Sequence, residues 1–257
     1  MKIVRYSLDG RAQFGALEDD RIEPLEGELE ALKKLGRAKS IPLGTVRLLA
    51  PATPGKIVAA GLNYGEFVHD QKVEPPKEPL IFLKPSTAVI GPDDAIIYPP
   101  QTRELYYEGE LAIVIARRAC RVPLSEARRY VLGYTCMNDV TAGDLQSRDR
   151  EFTRSKSFDT FAPLGPVIET AIENPDTLAL TTRHNGKLRQ DANTSDLIFK
   201  TDFLISFISH VMTLMPGDVI STGTPPGVGQ IKPGDVIEIE IEGIGVLTNT
   251  VAITRNL

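Results

Sequence analysis

The sequence predicts a mainly β chain of the α+β kind, and three observations carry that prediction. Short runs rich in Val, Ile, Leu and Thr recur along the length, while helical periodicity shows in only a few places. The 19 prolines and 21 glycines are spread over the 257 residues rather than bunched, so the chain turns often and its elements are short. Strands do not alternate regularly with helices, which disfavours a doubly wound parallel fold. At 42% hydrophobic the chain can bury a sizeable core, in one large domain or a main domain with a small appendage.

The division expected is a small N-terminal α+β unit over residues 1–50 and a main domain over 51–257. In the first unit, strands are expected at Lys2–Ser7 and Ala12–Leu17, followed by a short amphipathic helix at Leu25–Leu35 that Gly36 would stop. The run Pro51-Ala52-Thr53-Pro54-Gly55 reads as the linker. Beyond it, strands are expected at Lys56–Ala60, Pro79–Lys84, Glu110–Ala116 and Leu132–Asn138. Leu178–His184 and Leu188–Asp191 flank Asn185-Gly186, a strong two-residue hairpin signal. Asp218–Ser221, Asp235–Ile241 and Val246–Ile253 complete the set. Two helices interrupt it. One is Ser125–Val131 with Ser125 as N-cap; the other spans Asp202–Met215, with Phe203, Phe207, Val211 and Leu214 as its core face.

Composition excludes several function classes. A net charge of −5 without a Lys/Arg block makes a poor nucleic-acid or membrane-surface binder. No apolar run approaches the roughly 18 residues of a membrane span. Met1-Lys2-Ile3-Val4-Arg5 enters strand-like alternation without a leader pattern, so a cytoplasmic protein is expected. Cys120 and Cys136 fit no CxxC pattern and read as small buried apolar residues, not a disulfide. Of the three histidines, His184 is expected exposed beside the hairpin turn, His210 packed in its helix, and His69 in a polar, loop-like setting.

The chemistry-bearing feature is Glu108 and Glu110. Residues two positions apart on a strand project to the same face, and two like charges side by side repel unless a cation lies between them. The pair reads either as the solvent side of an edge strand or as metal ligands. Asp139, at the end of Leu132–Asn138, would make a third carboxylate. Oxygen-only ligands suit Mg²⁺, Ca²⁺ or Mn²⁺, and three of them leave positions open for catalysis. Thr222-Gly223-Thr224-Pro225-Pro226-Gly227-Val228-Gly229 offers hydroxyls and backbone N–H groups to an anion, or is an ordinary Gly/Pro turn. It has neither Rossmann nor Walker spacing.

Six segments in order resemble the fumarylacetoacetate hydrolase family over residues 50–255. They are Gly61-Leu62-Asn63-Tyr64, Phe82-Leu83-Lys84-Pro85, Tyr107-Glu108-Gly109-Glu110-Leu111-Ala112, Gly133-Tyr134 with Asn138-Asp139-Val140-Thr141-Ala142, Arg154-Ser155-Lys156-Ser157-Phe158-Asp159-Thr160, and the Thr222–Gly229 loop. The resemblance implies a mixed β-sandwich roll, a homodimer, and one Mg²⁺ or Mn²⁺ held by Glu108, Glu110 and Asp139. It implies a small 2-oxo acid substrate, often a dicarboxylate from aromatic or sugar-acid degradation, and a metal-stabilised enolate. Lys156 would add positive charge beside the enolate oxygen. Thr224 and the amides around Gly223 would bind the substrate carboxylate, with Gln146, Asn63 and Tyr64 as further substrate contacts.

Two departures bear on the reaction. Hydrolytic and decarboxylating members carry His at the fourth position after the Asn of Asn-Tyr and Glu three further on, where this chain has Phe67 and Asp70. His69 comes two residues late, so on a helix it points about 200° away, and a re-registered lid would be needed to deliver it with Glu66. The family's Arg in Thr-Ala-Arg-Asp is Gly143 here, with Arg148, Arg150 and Arg154 as the cations of the same segment. The expectation is therefore an isomerase or decarboxylase, or a C–C hydrolase, of the 2-hydroxyhepta-2,4-diene-1,7-dioate isomerase kind. The alternatives are an acylpyruvate hydrolase with His69 as base, and a non-catalytic metal and ligand binder.

Overall fold

The computed structural model describes residues 1–35 and 39–253, and these are mostly β. A thirteen-stranded sheet runs through the molecule. Its main path goes from Lys33–Lys34 through Arg21–Glu26, Arg11–Glu18, Lys2–Leu8, Ala162–Glu169, Val131–Asn138, Gly109–Ile115, Val219–Ser221 and Lys56–Gly61 to Leu80–Pro85. A five-stranded sheet, Ala95–Tyr98, Gly245–Ile253, Val236–Ile241, Ala179–His184 and Lys187–Asn193, packs against it. A three-stranded sheet joins Thr141–Ala142, Leu105–Tyr107 and Gly229–Ile231. Most pairings are antiparallel, but Val219–Ser221 runs parallel to Lys56–Gly61 and Ala95–Tyr98 parallel to Gly245–Ile253.

Gly109–Ile115 shows why the strand pattern works. All seven residues are buried. Leu111, Ile113 and Ile115 enter the large core with Leu180, Ile237, Ile239 and Leu247 of the five-stranded sheet. Ala112 and Val114 enter a second core with Ile57, Met137, Leu164 and Val219. A strand covered on both faces reads as a continuous apolar run, and that is the run Leu111-Ala112-Ile113-Val114-Ile115. The strands described within the first 50 residues join the same sheet, with Ile3 paired to Ile168 and the N-terminal ammonium 2.9 Å from Glu169 Oε1.

Several local expectations are corrected. No helix covers Leu25–Leu35. Leu25 pairs with Phe14 in a strand, Gly27 breaks the chain at a φ of +108°, and one 3-10 turn, Leu29–Ala31, precedes the strand Lys33–Lys34. The Gly36 stop lies outside the described residues. The expected helix Ser125–Val131 is a 3-10 stretch, Leu124–Tyr130, entered from the extended residue Pro123, so Ser125 is not its cap. The last helix is Thr201–Val211. It buries Leu204, Ile205 and Ile208, while Phe203 and Val211 are exposed and Leu214 packs beyond its end. Two adjacent apolar stripes compete on that helix, and spacing alone picked the outer one. Phe203 stacks between Phe199 and Phe207 at centroid distances of 5.5 and 6.3 Å. Both cysteines are free; Cys136 is buried, but Cys120 is exposed. Two histidines exchange roles. His210 is exposed, and the His184 side chain is largely covered, its Nε2 2.9 Å from Asp235 Oδ2. Among the described residues, no helix is long and apolar enough to cross a membrane.

Candidate active site and metal centre

Glu108 does not lie within a regular strand. It falls at the break between Leu105–Tyr107 and Gly109–Ile115, where the chain passes from the three-stranded to the thirteen-stranded sheet. The break is locked from across the sheet. The Glu108 N–H donates to Asn138 Oδ1 and the Asp139 N–H donates to the Glu108 carbonyl, each at 2.9 Å. Two strand ends are thereby held so that carboxylate oxygens of Glu108, Glu110 and Asp139 all lie within 4.8 Å of one another.

Each carboxylate has its own support. Glu110 accepts from the Ser221 hydroxyl and, at 2.9 Å, from the Gly223 N–H. Glu108 accepts from the Thr141 hydroxyl at 2.7 Å and from Lys156 Nζ at 2.8 Å. Asp139 lies between two ammonium groups, with Lys84 Nζ 2.5 Å from Oδ1 and Lys156 Nζ 2.7 Å from Oδ2. Lys84, Lys156, Glu110 and Asp139 are all buried. Glu108, with its side chain 15% exposed, is the most accessible of the three carboxylates.

Burial and neighbours split the titrations. Burial first, then the charges of Asp139 and Glu108, push Glu110 up to about 8. Burial also raises Glu108, with Lys156 offsetting part of the effect. Burial works against the Asp139 charge, but Lys156 and Lys84 outweigh it and hold this carboxyl below the usual range. Burial works against Lys156 too; Asp139 and Glu108 win, and its ammonium stays protonated above the ordinary lysine range.

The cluster suits a hard divalent cation. Its donors are all oxygens, and three carboxylates against two ammonium groups leave one negative charge in a buried place. Glu110, kept protonated to about pH 8 by burial first and by its neighbouring carboxylates second, would ionise more readily with a cation beside it.

A cavity of about 190 Å³ opens above this floor. Glu108, Glu110, Asp139, Lys156, Gln146 and Thr224 supply its polar lining, and Leu62, Phe67, Leu80, Phe82 and Phe152 its apolar walls. Gln146 reaches it from the helix Gly143–Arg148 and Lys156 from the end of Thr153–Lys156. The Thr224 hydroxyl accepts from Gln190 Nε2 at 2.8 Å and donates to the Gly109 carbonyl at 3.1 Å.

Other expected residues are placed differently. Gly223 spends its N–H on Glu110, and its φ of +100° with Asn63 Cβ 3.0 Å from where a Cβ would stand leaves no room for a side chain. Asn63 is buried behind the wall, donating to the Phe199 and Thr222 carbonyls and accepting from the Phe199 N–H at 2.8 Å. Tyr64 is buried as well, its phenol raised by burial and then by Glu110. Neither lines the cavity. His69 and Glu66 are not brought to the site. Their helix, Gly65–Asp70, turns Phe67 inward and leaves the His69 side chain 89% exposed beside Asp70. Asp196 Oδ2 pins this helix by accepting from the Glu66 N–H at 2.9 Å. Lys84, Ser221, Thr141 and Gln190 carry no sequence signal of these roles. Lys84 lies in Phe82-Leu83-Lys84-Pro85, but nothing in its spacing shows that it reaches Asp139.

Fold and site together define a β-rich architecture with three clustered carboxylates at the floor of a cavity, and comparison with known proteins gives its family. Residues 56–252 match the fumarylacetoacetate (FAA) hydrolase C-terminal family, and residues 1–51 match an Rv2993c-like N-terminal family. The chain belongs to the FAA hydrolase family. It is 40% identical to oxaloacetate tautomerase Fahd2a, mitochondrial, of Rattus norvegicus, over 92% of this chain and 80% of that one. The crystal structure of 2-hydroxyhepta-2,4-diene-1,7-dioate isomerase from Mycobacterium marinum superposes over the whole of both chains with a TM-score of 0.91 at 40% identity. Maleylpyruvate hydrolase from Sphingobium sp. SYK-6, solved with manganese(II) and pyruvate, covers 99% of this chain and 100% of its own, with a TM-score of 0.83 at 31% identity.

Proposed function

We propose that this protein is a divalent-cation-dependent enzyme that interconverts the keto and enol forms, or shifts the double bond, of a small 2-oxo acid. The observation that carries this reading is the cavity lining. Carboxylates and one ammonium make its floor, an amide and a hydroxyl its side, and among the described residues no imidazole faces it. A Mg²⁺ or Mn²⁺ ion held by Glu108, Glu110 and Asp139 would supply Lewis-acid stabilisation to the substrate oxygen that gains charge as an enolate. Lys156 holds its proton at Nζ and keeps a fixed positive charge beside that oxygen. Gln146 presents an amide to orient the substrate, and the apolar walls exclude water from it. Tautomerisation asks one proton to leave C3 and one to be placed on the C2 oxygen, with the reverse exchange in the other direction. Hydrolysis also asks for a base to activate water, and the histidine expected for that role is outside the cavity.

The names of the rat and M. marinum relatives, a tautomerase and an isomerase, support proton movement without cleavage of the carbon chain. The maleylpyruvate hydrolase likeness favours a second reading, C–C hydrolysis of an acylpyruvate, which would need His69 to swing into the cavity. The test follows enol absorbance and C3 proton exchange for pyruvate, oxaloacetate, fumarylpyruvate and a 2-hydroxydienoate with Mg²⁺ or Mn²⁺. Accelerated exchange without CO₂ or acid fragments is the expected result, and Lys156→Met should slow it by about 10²-fold or more. Stoichiometric acid fragments would establish the hydrolase reading; no acceleration with any 2-oxo acid would sink both.

A further inference from the structure

We infer that the substrate's far end is apolar and uncharged, an alkyl or aryl group rather than a second carboxylate; this rests on the 2-oxo acid reading above. The cavity lining is of two kinds. Its floor carries all the charge. Its apolar wall includes Phe67, Leu80, Phe82 and Phe152. Phe82 and Phe152 meet edge to face with centroids 5.5 Å apart, and Lys156 Nζ sits 4.9 Å from the Phe82 ring centroid. The aromatic wall therefore begins at the edge of the charged floor.

No cation is placed to meet a second carboxylate. Lys156 is the one cation that lines the cavity among the described residues, and Glu108 and Asp139 already share it. Lys84 is fully buried behind Asp139. Arg154 is committed to Asp149 at 2.7 Å, Arg148 lies 3.9 Å from the same carboxylate, and neither lines the cavity. Position 143 is closed to a guanidinium, because a Cβ there would stand 2.5 Å from the Tyr106 ring. Position 67 presents a phenyl ring.

Charge balance points the same way. With all three carboxylates ionised the floor carries one net negative charge, and a bound divalent cation turns it to one positive. A single substrate carboxylate neutralises that. A second would leave a negative charge against aromatic carbon with no cation to pair with it, whereas an alkyl or aryl end gains by leaving water there. The whole cavity, floor included, holds about 190 Å³, which suits a small 2-oxo acid with a short branched chain or one ring.

The experiment measures kcat/KM for C3 hydrogen–deuterium exchange by NMR on the Mn²⁺-loaded protein. It compares oxaloacetate and 2-oxoglutarate with 2-oxopentanoate and 4-methyl-2-oxopentanoate. The alkyl acids should lead by at least about tenfold, and Phe67→Arg should shift the ratio toward the dicarboxylates by a similar factor. Phe82→Ala, measured alongside, should lower kcat/KM for the alkyl acids selectively. A wild-type ratio near one, or a lead for either dicarboxylate, overturns the inference and leaves 2-oxo acid chemistry standing. No exchange with any of the four acids, or with those named above, removes the underlying reading as well.

Discussion

Lys84 shows how much of this site is decided at single residues. Lysine is almost never fully buried without a partner, and Lys84 has no exposed surface at all. Its Nζ lies 2.5 Å from Asp139 Oδ1 and 3.2 Å from the Val140 carbonyl. Burial drives its pKa down, and Asp139 resists. Its role is to keep Asp139 ionised and turned toward Glu108 while Lys156 takes the other oxygen. Removing one partner of a buried pair leaves an uncompensated charge. Lys84→Met should therefore destabilise the cation-free protein by about 3–5 kcal/mol, read by urea unfolding in chelator. Saturating Mn²⁺ should restore part of that loss, since the emptied site is more negative. Wild-type stability in chelator would show that Lys84 is not the counter-charge. Nothing local in Phe82-Leu83-Lys84-Pro85 distinguishes this lysine from a surface one, because its partner is 55 residues away. The carboxylates were legible for the opposite reason. Glu108 and Glu110 are two positions apart, and a local like-charge conflict is visible in the sequence itself.

At the scale of elements, the hairpin Ala179–His184 with Lys187–Asn193 does more than close the five-stranded sheet. Its turn residues Asn185 and Gly186 both have positive φ, 52° and 74°, as the Asn-Gly signal requires. Gln190, fully buried, points from it into the site. Its Oε1 accepts from the Gly109 N–H at 3.1 Å, and its Nε2 lies 2.8 Å from both Thr224 Oγ1 and the Pro225 carbonyl. One amide thus ties the residue between the two glutamates to the loop that carries Thr224. Gly109 is obligatory beneath it, since a Cβ there would stand 2.3 Å from Thr182 Oγ1. Gln190→Leu keeps the bulk and leaves those groups unpaired. It should cost about 1–3 kcal/mol in thermal or urea unfolding. It should also lower kcat/KM about tenfold or more, through a misplaced Thr224. Undiminished turnover in a folded variant would remove Gln190 from the positioning machinery. The hairpin could be read from its turn, but the inward Gln190 could not, because alternation marks apolar faces and not a polar residue that crosses them. The missing Leu25–Leu35 helix has a similar cause: pairing of Leu25 with Phe14 overrode a helical spacing that was real but short.

At the scale of the molecule, residues from all three sheets converge to bury more carboxylates than ammonium groups, and that surplus sets how stability answers to pH and metal. In cation-free protein Glu110 keeps its proton to about pH 8, against an ordinary value of 4.5. Between those values the folded state binds more protons than the unfolded one, so this group's contribution to stability falls as pH rises through the window. Glu108, also raised, acts in the same direction. Asp139, held below 3.8, acts only in acid, where its stabilising contribution is lost. A divalent cation reverses the trend, because it needs the carboxylates ionised and must displace the Glu110 proton wherever that proton is bound. Apparent Mn²⁺ affinity should accordingly climb by up to tenfold per pH unit below about pH 8 and flatten above it. The Mn²⁺-induced rise in Tm should be larger near pH 8.5 than near pH 6.5. Calorimetry in buffers of different ionisation enthalpy should find about one proton released per ion near pH 6.5 and little near pH 9. Glu110→Gln should abolish both the proton release and most of the affinity while the fold persists. Binding that is independent of pH and releases no protons near pH 6.5 would mean that the cation does not engage Glu110, and the three-carboxylate centre would have to be redrawn without it.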